Sequence, residues 1–288
     1  MIQDEQIEYG GSAAAIRHHY DVGNDFYSAW LDPSMTYSSA MWHGLPKDAP
    51  LEEAQQRKLD YHAESVGADE GMRILDVGCG WGGMMRNLRS THRVSECVGL
   101  TLSEEQLAYI EQLGDPGISA VLSNWHDYHP DRPFDAIISV GAFEHFAHPQ
   151  QSVEERRGVY REFFQACRDW MKGKGRLSLQ TIAYGRMSPE DANPFISNEI
   201  FPAAELPTLE DIVVASKGLF RMERLRDDGL DYARTCEMWS NRLRGAVRGG
   251  VVDPAVHPVE KYSRYLRMSA AGFRMRKIGL LRIAFAAE

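Results

Sequence analysis

The stretch Leu75-Asp-Val-Gly-Cys-Gly-Trp-Gly-Gly83 decides how the rest of the chain is read. It follows on from a short apolar run, Arg73 to Val77, of the kind that forms a buried parallel strand, and a helix-like stretch comes after it. Gly78 and Gly80 allow a tight turn and let a ligand approach main-chain atoms. A site there lies at the carboxyl end of the first strand, where doubly wound sheets bind their ligands. The spacing is GxGxG, which differs from the GxGxxG of dinucleotide-binding loops. An acid, Asp76, stands two residues before the first glycine.

Working outward, strand-like runs recur at Cys97–Leu100, Ser119–Leu122, Phe134–Val140, Gly175–Ile182, Phe220–Leu225 and Leu280–Phe285. Helical patterns separate most of them. Ser103-Glu-Glu-Gln106 has the spacing of a capping box. Val153 to Trp170 is a long amphipathic helix that Gly173 and Gly175 are expected to end. This alternation predicts an α/β, Rossmann-like, seven-stranded sheet. Residues 1–70 are expected to form an N-terminal helical cap and residues 71–288 the core. Within the core, a Pro-rich irregular stretch at about 184–210 is expected to be a lid over an acceptor pocket, and about 231–275 a helical insertion. The second strand ends in Gly99-Leu-Thr-Leu-Ser103, with no acid to hold a nicotinamide-cofactor ribose, so Thr101 and Gln106 are the candidates for that contact.

The chain has 288 residues and a formal net charge of -9, which disfavours nucleic acid and bare anionic bilayers as partners. No apolar run reaches bilayer-spanning length, and the polar, acidic start does not read as a secretory signal. Cys79, Cys97, Cys167 and Cys236 are scattered without a CxxC pair, which argues against disulfides and metal and fits a cytoplasmic location. The basic clusters Arg242/Arg244/Arg248 and Arg274/Arg276/Lys277 read as solvated helix faces.

Gly78, Gly80 and Gly82 with Asp76 resemble the cofactor loop of S-adenosylmethionine-dependent methyltransferases. The resemblance sharpens with His18-His-Tyr-Asp-Val-Gly-Asn-Asp-Phe-Tyr27, Met35-Thr-Tyr-Ser-Ser-Ala40, Gly141-Ala-Phe-Glu-His-Phe146, Ile200-Phe-Pro202, Glu205-Leu-Pro207 and Tyr232-Ala-Arg-Thr235. In this order they are similar to the cyclopropane-fatty-acid-synthase group, most of all its short mycolic acid members, over nearly the whole chain. The resemblance implies that Tyr37 and Ser38 hold the methionine end of the cofactor, with Gly78, Gly80 and Trp81 lining the loop. It likewise implies Thr101, Leu102 and Gln106 at the ribose and Trp125 at the adenine. The family's acid after that tryptophan is absent: His126 stands there, followed by Asp127.

In that family a bound bicarbonate acts as base, in a pocket of Glu, Tyr, Cys and His. Here Glu144 and Tyr232 match, while Ser39 and Gln180 replace the Cys and the His. Both replacements donate hydrogen bonds, so either an anion binds or a carboxylate acts directly. Glu144 and His148, four apart, would share one face of a helix and suit general base work. Tyr20 is expected as a pocket aromatic and Tyr232 as the partner of Glu144. The preferred expectation is methyl transfer to a carbon of an unsaturated lipid-like or secondary-metabolite acceptor, free or carrier-bound. Cyclopropanation of an acyl chain, N-methylation of a small amine and non-catalytic cofactor binding are the alternatives.

Overall fold

The computed structural model describes residues 22–191, 195, 199–200 and 204–288. Tyr20 and the His18–His19 pair lie outside the described residues. The sheet has seven strands in the order β3-β2-β1-β4-β5-β7-β6. They are β1 (Arg73–Val77), β2 (Glu96–Thr101), β3 (Ile118–Leu122), β4 (Phe134–Val140), β5 (Met171–Tyr184), β6 (Phe220–Asp227) and β7 (Ile278–Ala287). β7 runs antiparallel to both of its neighbours, and the β3-to-β5 side is parallel.

Every residue of β1 is buried, as expected of a strand covered on both faces. Alternate residues feed opposite cores. Ile74 packs with Leu59, Met85 and Leu88, which belong to helices α2 (Leu51–Val66) and α3 (Gly83–Ser90). Leu75 and Val77 face Tyr160, Phe163 and Phe164 of α5 (Val153–Trp170) and Ile212 of α6 (Leu209–Ser216). A third core is rich in aromatic side chains. It joins α1 (Asn24–Ser28) and the loop after it to the hairpin of α7 (Gly229–Arg248) and α8 (Val259–Arg274). The edge strand β6 carries Arg221, Arg224 and Arg226, charges that discourage pairing with another chain.

Two local expectations are corrected. A full capping box, Ser152 with Glu155, opens α5, and Met171 in extended conformation ends it, so β5 begins before Gly173 and Gly175. At α4 (Glu104–Glu111) Ser103 accepts from Gln106 N, but the Gln106 side chain does not complete a box, because its Oε1 accepts from Thr101 Oγ1 at 2.7 Å. The basic clusters are partly tied down: Arg242 pairs with Glu52, and Arg274 with Glu237.

Candidate active site

β1 pairs with β2 on one side and β4 on the other, so the chain leaves this point in opposite directions and a crevice opens at the carboxyl ends. Gly78 N and Cys79 N both donate to Leu100 O, at 3.0 and 2.9 Å, which fixes the loop against β2. Gly78 has φ +80, and a Cβ there would fall 2.5 Å from Ala142 Cβ. A Cβ on Gly80 would meet nothing within 4 Å, because that residue borders open cavity.

This first cavity, of about 150 Å³, is lined by Tyr37, Ser38, Asp76, Gly78, Gly80, Trp81, Thr101, Leu102, Gln106 and Trp125. Thus the structure gathers in one cleft every residue assigned above to the cofactor. Trp125 is held by Phe146 and Phe163, with ring centroids 5.2 and 5.5 Å away. His126 and Asp127 are exposed and do not line the cleft; Ser123 and Asn124 do. Burial pushes the Asp76 carboxyl up to about 7, against a lowering by Lys58.

Lys58 lines the same cleft, and sequence reasoning missed it. The signal was present in α2, where Gln55, Lys58 and His62 recur at helical spacing on a face that is otherwise apolar. All three are buried and grip the opposite wall. Gln55 Nε2 donates to Ser38 O (2.9 Å), and Lys58 Nζ donates to Ser38 Oγ (2.9 Å). His62 meets Ser178 Oγ (2.8 Å) and Gln180 Oε1 (3.2 Å).

A second cavity, of about 370 Å³, adjoins the first and shares Tyr37, Ser38, Gly141 and His145 with it. Its wall is mainly apolar: Ile182, Leu206, Tyr265, Met268, Phe273, Ile278 and Leu280 contribute. Glu144, Gln180 and Tyr232 also line it. Tyr232 stacks on Phe273 with centroids 4.6 Å apart. Glu144 Oε2 accepts from Thr181 Oγ1 at 2.9 Å, a partner the sequence did not suggest. Burial raises the Glu144 carboxyl to about 7, opposed by hydrogen bonds from the backbone and Thr181. Burial lowers His145 to about 4, so its ring is neutral at physiological pH.

Gln180 is oriented without ambiguity. Arg282 Nε can only donate, and it sits 2.8 Å from the Gln180 side chain, so that atom is the oxygen. Burial, reinforced by Arg282 and Lys58, holds His62 neutral. Its Nε2 therefore carries the proton that Gln180 Oε1 accepts, and Nδ1 accepts from Ser178. The Gln180 oxygen is then taken up by two donors behind the wall, which leaves the amide N–H₂ as the group available to the cavity.

Two expected site residues stand elsewhere. Ser39 is fully buried and lines neither cavity; its hydroxyl donates to Ala40 O (3.0 Å), and Arg282 Nη2 donates to Ser39 O (3.1 Å). His148 is also outside both cavities. Only Phe143–His145 forms a short 3₁₀ turn, so no helix places His148 over Glu144. Instead His148 Nδ1 accepts from Gln150 N in the following turn. His145, one residue after Glu144, lines both cavities. Among the described residues, no group of three or more His, Cys, Asp or Glu side chains could hold a metal, and no helix is long and apolar enough to cross a membrane.

Strand order, glycine loop and cleft together define an S-adenosylmethionine-dependent methyltransferase. The donor set suits such a cofactor: carboxylate, ammonium and hydroxyls at one end, an open glycine cradle, and aromatic faces for a sulfonium and a purine. The family model for mycolic acid cyclopropane synthetase matches residues 10–283, and the chain belongs to that family. It is 34% identical over 278 residues to cyclopropane mycolic acid synthase 2 of Mycobacterium tuberculosis, covering 90% of each chain. It is 34% identical over 271 residues to the Escherichia coli cyclopropane-fatty-acyl-phospholipid synthase, covering 93% of this chain and 66% of that protein. The crystal structure of mycolic acid cyclopropane synthase CmaA1 complexed with SAH and CTAB superposes with a TM-score of 0.83 at 32% identity, covering 97% and 99% of the two chains.

Proposed function

We propose that the protein transfers a methyl group to a double bond in a lipid acyl chain and closes the product to a cyclopropane. The observation that carries this reading is the junction of the two cavities: a cofactor cleft and a mainly apolar acceptor cavity meet at Tyr37, Ser38, Gly141 and His145, with Glu144 beside the opening. Family membership supports ring closure over the simple carbon methylation that the sequence placed first, because relatives named as cyclopropane synthases share most of the chain.

When bound, the cofactor supplies an electrophilic methyl on a sulfonium. The chain's residues do the rest. Tyr37 and the neutral His145 border the place where positive charge passes from sulfur to the acceptor, and neither adds a like charge there. Alignment of the reacting carbon with that methyl is worth several kcal/mol, roughly 7–11 at best. The alkene uses its π electrons to form the new carbon–carbon bond as the sulfur–methyl bond breaks with its electron pair on sulfur, which leaves a carbocation on the neighbouring carbon. Glu144, ionised above pH about 7, then accepts a proton from the added methyl. The freed electron pair closes the ring. Glu144 needs no bicarbonate in this role. Gln180, an amide, takes up no proton, and Ser39 is turned toward the backbone.

A second reading has one observation in its favour. The Gln180 amide, held by Arg282 and His62, replaces the family's basic residue. With a weaker anion site, Glu144 could remove a proton from an adjacent chain carbon and leave a methylated alkene.

The test is release of S-adenosylhomocysteine with acyl lipids that differ only in one cis double bond. We expect release with the unsaturated chain and none with its saturated counterpart. Turnover on small amines with no response to any unsaturated acyl lipid would overturn the proposal.

A further inference from the structure

We propose that Lys58 binds the carboxylate at the methionine end of the cofactor, which makes it a cofactor-recognition residue of this enzyme. The inference rests on the methyltransferase reading and deepens it.

Lys58 is only 1% exposed, yet it lines the cofactor cleft together with Ser38 and Asp76. Its Nζ donates to Ser38 Oγ at 2.9 Å. Among the described residues, no carboxylate lies within ion-pair distance of it. A buried ammonium without a counter-ion is costly, and such groups are normally paired or bound to a ligand. Nearby charge is mixed: Arg282 opposes the ammonium, and Asp32 and Asp76, each with a smaller effect than Arg282, favour it. Burial and Arg282 together push the amine down to about 7.

The missing partner has a defined chemistry. The amino-acid end of the cofactor is a zwitterion, and the cleft presents a cation at Lys58 and an acid at Asp76 to receive it. The Ser38 hydroxyl, donating onward while it accepts from Lys58, adds a hydrogen bond to the same anion. An incoming carboxylate would give the Lys58 ammonium a direct counter-ion in addition to its bond to Ser38 Oγ. A residue that served only to hold the Ser38 loop would not need a charge, since Gln55 already binds Ser38 O and Thr36 O.

The experiment is isothermal titration calorimetry on the purified protein and its Lys58→Met and Lys58→Arg variants, with melting temperature measured in parallel. Three probes are used: S-adenosylhomocysteine, decarboxylated S-adenosylmethionine and 5′-methylthioadenosine. The decarboxylated probe keeps the ammonium and lacks the carboxylate, and 5′-methylthioadenosine lacks the whole amino-acid end. Lys58→Met is expected to weaken S-adenosylhomocysteine by about 10- to 100-fold, in the range of a lost charge-assisted bond, and to change the two carboxylate-free probes by less than about threefold. Lys58→Arg is expected to recover part of the loss. Equal weakening of all three probes would show that Lys58 only shapes the loop, and no weakening would show that it is not a contact; either overturns the proposal. A wild-type protein that binds none of the probes would instead overturn the methyltransferase reading.

Discussion

The cofactor cleft and the acceptor cavity share a wall but are built in opposite ways. The cleft is built mainly of short segments at the carboxyl ends of neighbouring parallel strands: Asp76–Trp81 at β1, Leu100–Gln106 at β2, Ser123–Trp125 after β3 and Val140–Phe146 at β4, closed by Tyr37, Ser38 and Lys58. Backbone geometry does much of the work there, as the Gly78 approach to Ala142 shows. The acceptor cavity is assembled from side chains far apart in sequence, on β5, β7, α7 and α8, together with Met187, Asp191, Ala204 and Leu206. Its shape depends on packing between a hairpin and a sheet edge. On the proposed function, the first region serves the cofactor and the second the acceptor.

Substitutions in the two regions should separate these roles. Glu144→Gln has the largest expected effect: a fall in kcat of about 10²- to 10⁴-fold, the usual range for a lost general base, with S-adenosylhomocysteine affinity nearly unchanged in a titration. The same residue sets a pH profile. Its basic form is required, so kcat/KM is expected to rise about tenfold per unit up to pH about 7 and then level off. The rising limb should vanish in Glu144→Gln. Gly78→Ala attacks the cleft, because a new methyl would collide with Ala142 at a positive φ. Calorimetry should show cofactor affinity reduced by more than about tenfold, or roughly 1.4 kcal/mol. Met268→Trp narrows only the acceptor cavity. Steady-state kinetics should show acceptor KM raised by about tenfold, roughly 1.4 kcal/mol, while cofactor KM holds. His148→Ala is the smallest: a residue outside both cavities should alter kcat/KM by less than about twofold, under 0.5 kcal/mol as for ordinary surface positions. A large loss there would break the division drawn between the two regions.

The same division explains what could be read from sequence. β1 and β4 were bounded correctly from apolar runs, and the strand–glycine–helix order located the cleft, because these signals are local. Helix length at Glu144 was not legible. A single turn of 3₁₀ suffices after Gly141, whose N–H is tied to Gln180 O, and His145 rather than His148 joins the cavity lining with Glu144. Ser39 failed for a different reason. Which way a short hydroxyl points is decided by Arg282, which lies far along the chain on β7 and claims the Ser39 and Ala40 carbonyls. Lys58 was within reach, since a lysine on the apolar face of an amphipathic helix is unusual and asks for an anion.

The central claim is that Glu144 takes a proton from the transferred methyl and thereby closes a ring. Its most direct test is turnover of an acyl lipid with one cis double bond, using S-adenosylmethionine labelled with a trideuteromethyl group, and mass spectrometry of the product. The account predicts a cyclopropane that retains two of the three deuteriums, the third having left by way of Glu144. A methylated alkene that retains all three would contradict it and establish simple carbon methylation in its place.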